Sequence, residues 1–491
     1  MSLQFDDPDQ WYAEYDEAST ERQYEILLET IKNPLTPEFI EEIDLFGSLI
    51  DILEQLIENN LINDAVSFIE QFQKYQPELY SEEFDYFDRF LVKYYLHTSQ
   101  YEEVKAALVR FEEEPNEVID EMLEVLDFLK FYNATEIARD LCQKTYELIK
   151  DDDVDDGIEN EIGEVFFLDL LDQTYQKVKQ GESVDWQELL VESEKYGIDT
   201  SSKVLTFLQQ ELVNDFQVDK QFFQNFKKLL SHKEIYRSLS LAFYKYMADN
   251  KQVSFICSQG IWDNILIFLG EYRDIKPKKL THPDNLFGFS QTELEDFVKK
   301  TIDDFTSLDQ AAGFATLWGI PYLYDFLLSK QIISSEIHLK VLTAVSELKK
   351  ELMEKLSSSL WQYDFVHCWL PPDNVSQEDW EAEIDQFRNS TTLVAPLSSE
   401  PNESRSKKAR EGLQALINAI EENKEILREL FNSKDQDKEL FNSKDEDIDI
   451  SPPSTKSFKP KKSKKSPLQE AAELIAQEDK KSDKKKKKGF N

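Results

Sequence analysis

Asn60-Leu61-Ile62-Asn63-Asp64-Ala65, followed by Ile69, Phe72 and Pro77, is a pattern that returns twice within residues 50–150. It comes back as Gln100-Tyr101-Glu102-Glu103-Val104 with Leu108, Phe111 and Pro115, and as Ala134-Thr135-Glu136-Ile137-Ala138 with Cys142 and Thr145. The anchors Ala65, Val104 and Ala138 lie 39 and then 34 residues apart, the period of helix-pair repeats. A small residue at the anchor lets two antiparallel helices approach, and apolar residues four and seven positions later fall on the same helix face. The preceding helix follows the same logic: Ile52, Leu53 and Leu56 come before Ala65, as Leu91, Val92 and Tyr95 come before Val104. A lone helix pair cannot bury such a face, so neighbouring pairs are expected to stack.

This spacing resembles the tetratricopeptide repeat (TPR), whose second helix carries Ala, an aromatic, Ala and then Pro at these offsets. Ala65, Ile69, Phe72 and Pro77 keep the spacing best. The chain departs from the family at Phe72, where a small residue is expected, at the first-helix glycine, replaced by Leu53 and Val92, and at the Val104 anchor. The resemblance covers residues 50–150 alone, and an irregular helical domain with accidental spacing is the alternative. It implies partner binding on the concave surface made by the first helices, near Tyr94, Tyr95 and the helix from Asp120 to Phe131.

Composition agrees with an all-α chain. Only 12 Gly and 16 Pro occur in 491 residues, too few to punctuate an all-β protein, and 3.6-residue periodicity outweighs alternation. The expected organisation is TPR-like repeats over 1–150 and a less regular helical region over 158–388. A linker at 389–407, an amphipathic helix at 408–431 with heptad-spaced leucines, and a disordered tail over 432–491 follow. The boundary at Asp151–Gly157 reads as a solvated acidic loop: Val154 and Gly163 stand where an EF-hand needs ligands. Further helices are expected at Thr20–Ile31, after a Thr36 cap, at Ser335–Leu360 and at Asp379–Phe387, with a loop at Ile275–Asn285. A tandem copy of Glu429–Lys438 at Glu439–Asp447 reads as an expanded linker.

Charge is split along the chain. The formal total is −42, of which residues 451–491 contribute +8, leaving −50 on residues 1–450. An acidic body favours a basic protein partner and a lysine tail favours polyanions. The acids Glu102, Glu103, Glu112 and Glu113 are the expected contacts for such a partner. In the tail, Lys461, Lys462, Lys464 and Lys465 have the form of a nuclear-import signal. Lys484, Lys485, Lys486, Lys487 and Lys488 suit non-specific phosphate contact, with no arginine to read bases.

Catalysis has little to stand on. The five histidines are not at metal-ligand spacing, and HExxH, GxSxG, Walker A and GxGxxG are absent. His367-Cys368 is the one juxtaposed reactive pair, but helical neighbours diverge by about 100°, so it reads as core. Cys142, Cys257 and Cys368 form no CxxC or disulfide framework, which fits a reducing compartment. The longest uncharged run, 15 residues from Gln310 to Tyr324, is too short to span a bilayer. These features predict a cytoplasmic, non-enzymatic adaptor or scaffold with no cofactor, no metal and no membrane contact, or a nuclear location if 459–465 directs import. The alternative is a nucleic-acid- or ribosome-associated factor tethered by its tail.

Overall fold

The computed structural model describes residues 7–150, 156–198, 202–218, 234–273, 282–302 and 307–392, and helix is the only regular structure among them. The expected helix at 408–431, the lysine tail and most of the 389–407 linker lie outside the described residues. The chain divides into two compact units, residues 7–52 and residues 53–392.

The first unit contains α1 (Pro8–Asp16), α2 (Thr20–Ile31), α3 (Pro37–Glu42) and the start of α4 (Leu45–Glu58). Trp11 is fully buried, stacks on Tyr15 and donates its indole N–H to Thr30 Oγ1 at 2.9 Å. The Thr36 side chain caps α3 by accepting the Phe39 N–H at 3.2 Å, as its position before Pro37 predicts.

In the second unit the quoted pattern becomes helix hairpins. They are the end of α4 with α5 (Ile62–Tyr75), α7 (Phe84–His97) with α8 (Tyr101–Glu113), and α9 (Ile119–Phe131) with α10 (Thr135–Ile149); the short α6 (Pro77–Glu82) precedes α7. All three anchors, Ala65, Val104 and Ala138, are fully buried, as are Ile69, Phe72, Phe111 and Thr145. Five residues before each anchor stands a residue in the left-handed region: Asn60 (φ 60°), Ser99 (φ 57°) and Asn133 (φ 56°). Each closes its helix the same way. Asn60 N–H bonds to Ile57 O and Leu61 N–H to Leu56 O, the paired bonds of a Schellman cap, and Ser99/Gln100 and Asn133/Ala134 repeat them.

The same cap ends α18 (Ser307–Ser329) at Gln331 (φ 57°), ahead of α19 (Ser335–Lys355), so the hairpin device recurs beyond the segment in which spacing reveals it. Residues 151–155 of the expected acidic loop lie outside the described residues; α10, before them, lies against α11 (Asp156–Gln180), after them. After α12 (Trp186–Lys195), the end of α13 (Ser202–Val213) is capped by a lysine. The buried Lys245 ammonium, on α14 (Glu234–Lys251), donates to Glu211 O and Asn214 O, both at 2.8 Å.

The centre of this unit is α18, packed by α15 (Phe255–Leu266), α17 (Gln291–Ile302) and α19. Trp318, Ile320, Tyr322, Leu323, Tyr324, Phe326 and Leu327 are all fully buried, and the helix continues through Gly313, Gly319 and Pro321 because packing on every side holds it. The expected loop at Ile275–Asn285 is corrected at its end: Pro283 opens a short helix, α16 (Pro283–Phe287), whose Asp284 N–H is accepted by His282 Nδ1. The expected helix at Ser335–Leu360 stops at Lys355 and is followed by a 3-10 segment, Leu360–His367. The last α-helix among the described residues is α20 (Gln377–Asn389), followed by a 3-10 turn, Ser390–Thr392.

A buried ionic cluster ties α9 and α11 together. Lys130 donates to Asp127 Oδ1 at 2.9 Å and Glu161 Oε1 at 3.1 Å; burial opposes its charge, but the two carboxylates outweigh burial and hold the amine protonated. Asp263 on α15 faces the same cluster. Burial, then Glu164, raises its carboxyl well above the ordinary range against the pull of Lys130, and its Oδ1 has no hydrogen-bond partner among the described residues.

Two outcomes are expected. The unfolded chain ionises Asp263 near pH 3.9, whereas the folded chain keeps its proton to higher pH. Its contribution to stability is therefore complete below about pH 3.9 and is lost as pH rises through the folded value. Denaturant melts should find Asp263→Asn more stable than the parent by a margin that grows between about pH 4 and pH 8. Separately, a Cβ on Gly319 would come within 2.5 Å of Ile261 Cγ2, where α18 crosses α15. Gly319→Ala should cost roughly 1–3 kcal/mol by overpacking, read as a lower denaturation midpoint.

Candidate protein-binding groove

Pro77 and Phe84 set up the groove. Pro77 opens α6 at its first position, and α6 ends at Glu82, so the chain turns sharply into α7 and leaves a concavity against the α8–α9 connection. The groove measures about 560 Å³ and is lined by Ser81, Glu82, Phe84, Asp85, Glu114, Glu117, Val118 and Glu121. Five of the eight are carboxylates and none is a cation. Phe84 and Val118, both buried, form its apolar floor.

Beneath the floor lies a polar anchor. Tyr80 donates its hydroxyl to Asp88 Oδ1 at 2.5 Å, and Arg110 donates from Nη1 to Asp88 Oδ2 at 2.8 Å. The Arg110 guanidinium also lies 4.7 Å from the Tyr80 ring centre and 5.8 Å from that of Phe84. Its charge is thus engaged from below. Burial, then Asp85 and Glu82, raises the carboxyl of Glu83 at the groove edge, the mark of crowded like charges.

The partner-binding residues expected from sequence are divided by the structure. Glu102 and Glu103 lie exposed on α8, Glu102 paired with Lys105 at 2.9 Å. Glu112 pairs with Lys144 at 2.6 Å, and Glu113 is exposed one residue before the groove-lining Glu114. Tyr94 and Tyr95 are half-buried; burial, then Glu70 and Glu103, pushes the Tyr95 hydroxyl up to about 12.

The expected open concave surface is corrected. The first helices α7 and α9 are covered by the chain's own later residues: α9 packs against α15 and α18, and α7 against the 3-10 segment. Phe131 stacks on Phe365 with ring centres 5.0 Å apart, Phe90 and His97 meet Trp361 edge-on or tilted, and Trp369 donates to Phe131 O at 3.3 Å. Met122, Val125, Phe128 and Leu129 of α9 are buried, so the inner face of this helix is taken up by the chain itself, while Glu121 at its start faces the groove. The groove, by contrast, was missed by sequence reasoning. Its one local signal is Pro77 and the acidic Ser81–Asp85 stretch; the rest depends on how α7 and α9 come together.

His367-Cys368 is not arranged as base and nucleophile. His367 turns Nε2 to Glu383 Oε1 at 3.0 Å, whereas Cys368, expected in the core, is exposed. Among the described residues no cluster of three or more His, Cys, Asp or Glu is placed to hold a metal ion, and no helix is long and apolar enough to cross a membrane.

No family model, curated protein or solved structure matches the chain.

Arg110 supports the groove from beneath, and its loss leaves Asp88 buried without its cation. Arg110→Met should destabilise the protein by roughly 3 kcal/mol, and Asp88→Asn in the same chain should recover part of that, measured by chemical denaturation.

Proposed function

We propose that the protein is a non-enzymatic adaptor or scaffold that takes a lysine- or arginine-rich segment of another protein into the groove beside α6 and α7. The lining carries this reading: Glu82, Asp85, Glu114, Glu117 and Glu121 converge above an apolar floor, with no cation among the lining residues. Like charges on the walls of a concavity focus their field outward and draw in cations. Phe84 and Val118 suit the methylene stems of Lys and Arg, which cover apolar surface while their charged ends reach the carboxylates. The −50 formal charge of residues 1–450 favours the same partners over long range.

The hairpins of residues 50–150 fit a TPR-like repeat in this reading. Their support is the buried anchors and the shared left-handed cap five residues before each one. The inner face that such repeats use for binding is occupied by the chain itself, so the partner site moves to the outer edge. A cytoplasmic setting fits a protein of this kind, and nuclear entry through Lys461, Lys462, Lys464 and Lys465 is its alternative. The lysine tail gives a second, independent attachment to polyanions.

Anisotropy titration with a labelled lysine-rich peptide tests the groove. Binding should weaken as salt rises and fall by about tenfold or more in Glu114→Lys/Glu117→Lys/Glu121→Lys. Glu102→Lys/Glu103→Lys, on the exposed face of α8, should fall much less. Equal affinity in parent and triple variant would refute the groove. Partner capture by the full chain and by residues 1–450, each with and without nuclease, separates the tail: partners lost only with the tail or with nuclease belong to the nucleic-acid reading.

A further inference from the structure

Residues 360–392 close the second unit, and their aromatic spacing decides which way they face. Trp361, Phe365 and Trp369 recur every four residues and pack onto α7 and α9 as described. His367 falls on the other side, toward α18, α19 and α20. Its side chain is 5 % exposed and is flanked by Trp380 and Phe387 rings at 4.8 and 4.5 Å. Glu383 Oε1 on α20 accepts two bonds, from His367 Nε2 at 3.0 Å and from Trp318 Nε1 of α18 at 2.6 Å. One carboxylate oxygen thus joins the 3-10 segment, α18 and α20.

The other imidazole nitrogen, Nδ1, is buried and has no hydrogen-bond partner among the described residues. A neutral imidazole with its proton on Nε2 fits this site. A second proton would sit on Nδ1 as a buried donor without an acceptor. The ionisable groups that face His367 are Glu383 of α20, Lys349 of α19 and Asp364 of its own segment. Lys349 lies over the Trp318 ring at 4.6 Å, so a protonated imidazole would also meet a like charge.

We propose that His367 is an acid-sensitive latch, whose protonation loosens the 3-10 segment and α20 from α18 and α19. Burial, outweighing Glu383, lowers the affinity of His367 for a proton in the folded chain. The latch is therefore fully closed above the unfolded histidine value of about 6.5 and weakens as pH falls below it. Glu383 does not act in its place there, because, against burial, Lys349 and then His367 hold its carboxyl down at about 2. His97 with Asp364 and Lys251 with Asp373 lie on the block's other side, against α7 and α14, while Asp325 of α18, paired with His338 of α19 at 2.8 Å, also holds the block by accepting the Asp373 N–H at 3.1 Å. The 99 residues that follow position 392 include the lysine tail, so the latch sits where the helical body hands over to the basic segment.

Hydrogen exchange of the full chain at pH 7.5 and 5.5, corrected for intrinsic rates, tests this. Exchange over residues 360–392 should quicken by up to about tenfold at the lower pH relative to α5 and α8, the ceiling set by one histidine that ionises at about 6.5 once the segment opens. His367→Gln keeps a donor for Glu383 and never ionises, and should remove that local acid response, whereas His97→Gln should keep it. Lys349→Met removes the like charge and should shrink the response. An acid response that survives in His367→Gln, or that spreads evenly along the chain, would overturn the latch. If His367→Gln is already loosened at pH 7.5, an unchanged acid response in Lys349→Met overturns it instead.

Discussion

An amphipathic helix pair leaves one apolar face that it cannot bury by itself, and in this protein the face is closed by the same chain. The inner sides of α7 and α9 receive Trp361, Phe365 and Trp369 from a segment more than two hundred residues away. A fully buried aromatic removes roughly 2–3 kcal/mol worth of apolar surface from water, so these contacts bind the two halves of the second unit more strongly than any surface ion pair. The rest of the arrangement follows from it. Once the inner face is filled, α15 and α18 lie against α9.

Charge placement follows the same division. Several of the chain's cations are turned inward. Arg89 and Lys93 share Glu124 across α7 and α9, Arg110 holds Asp88, Lys130 holds Asp127 and Glu161, and Arg273 donates to Leu286 O and Gly288 O. The carboxylate pairs among these neutralise acids that packing has drawn inward, and those of Glu124 and Glu161 join separate helices. Breaking one strands a charge in a low dielectric, which is costlier than the pair is stabilising. The groove carboxylates have no such inward partner among the lining residues, so their charge is directed to solvent.

The parts of the fold that were legible in the sequence are the local ones. The anchors Ala65, Val104 and Ala138 were readable because i, i+4 and i+7 share a helix face whatever the tertiary context. The helix at Thr20–Ile31 and the Thr36 cap follow from side-chain chemistry within four residues. Ser99 and Gln331 were not readable as left-handed caps, since neither residue favours that conformation and only the packing of the flanking helices imposes it. Pro321 is the reverse case: local propensity disfavours proline inside a helix, and burial on all sides outweighs it. The groove lies between these cases. Its acids were visible as composition, but 98 acidic residues make any five of them unremarkable until α6, the start of α7 and the α8–α9 connection bring them to one concavity.

The non-local contacts also explain why a family resemblance at 50–150 does not carry its binding surface with it. Tyr132 and His97 stand at the ends of α9 and α7, where a free repeat array presents its inner edge to a ligand. Here both side chains engage Asp364, from the 3-10 segment, Tyr132 as a donor and His97 at 2.6 Å. A carboxylate held by two partners in a half-buried site is not readily displaced by an incoming peptide, because the peptide must replace both bonds and the aromatic packing beside them.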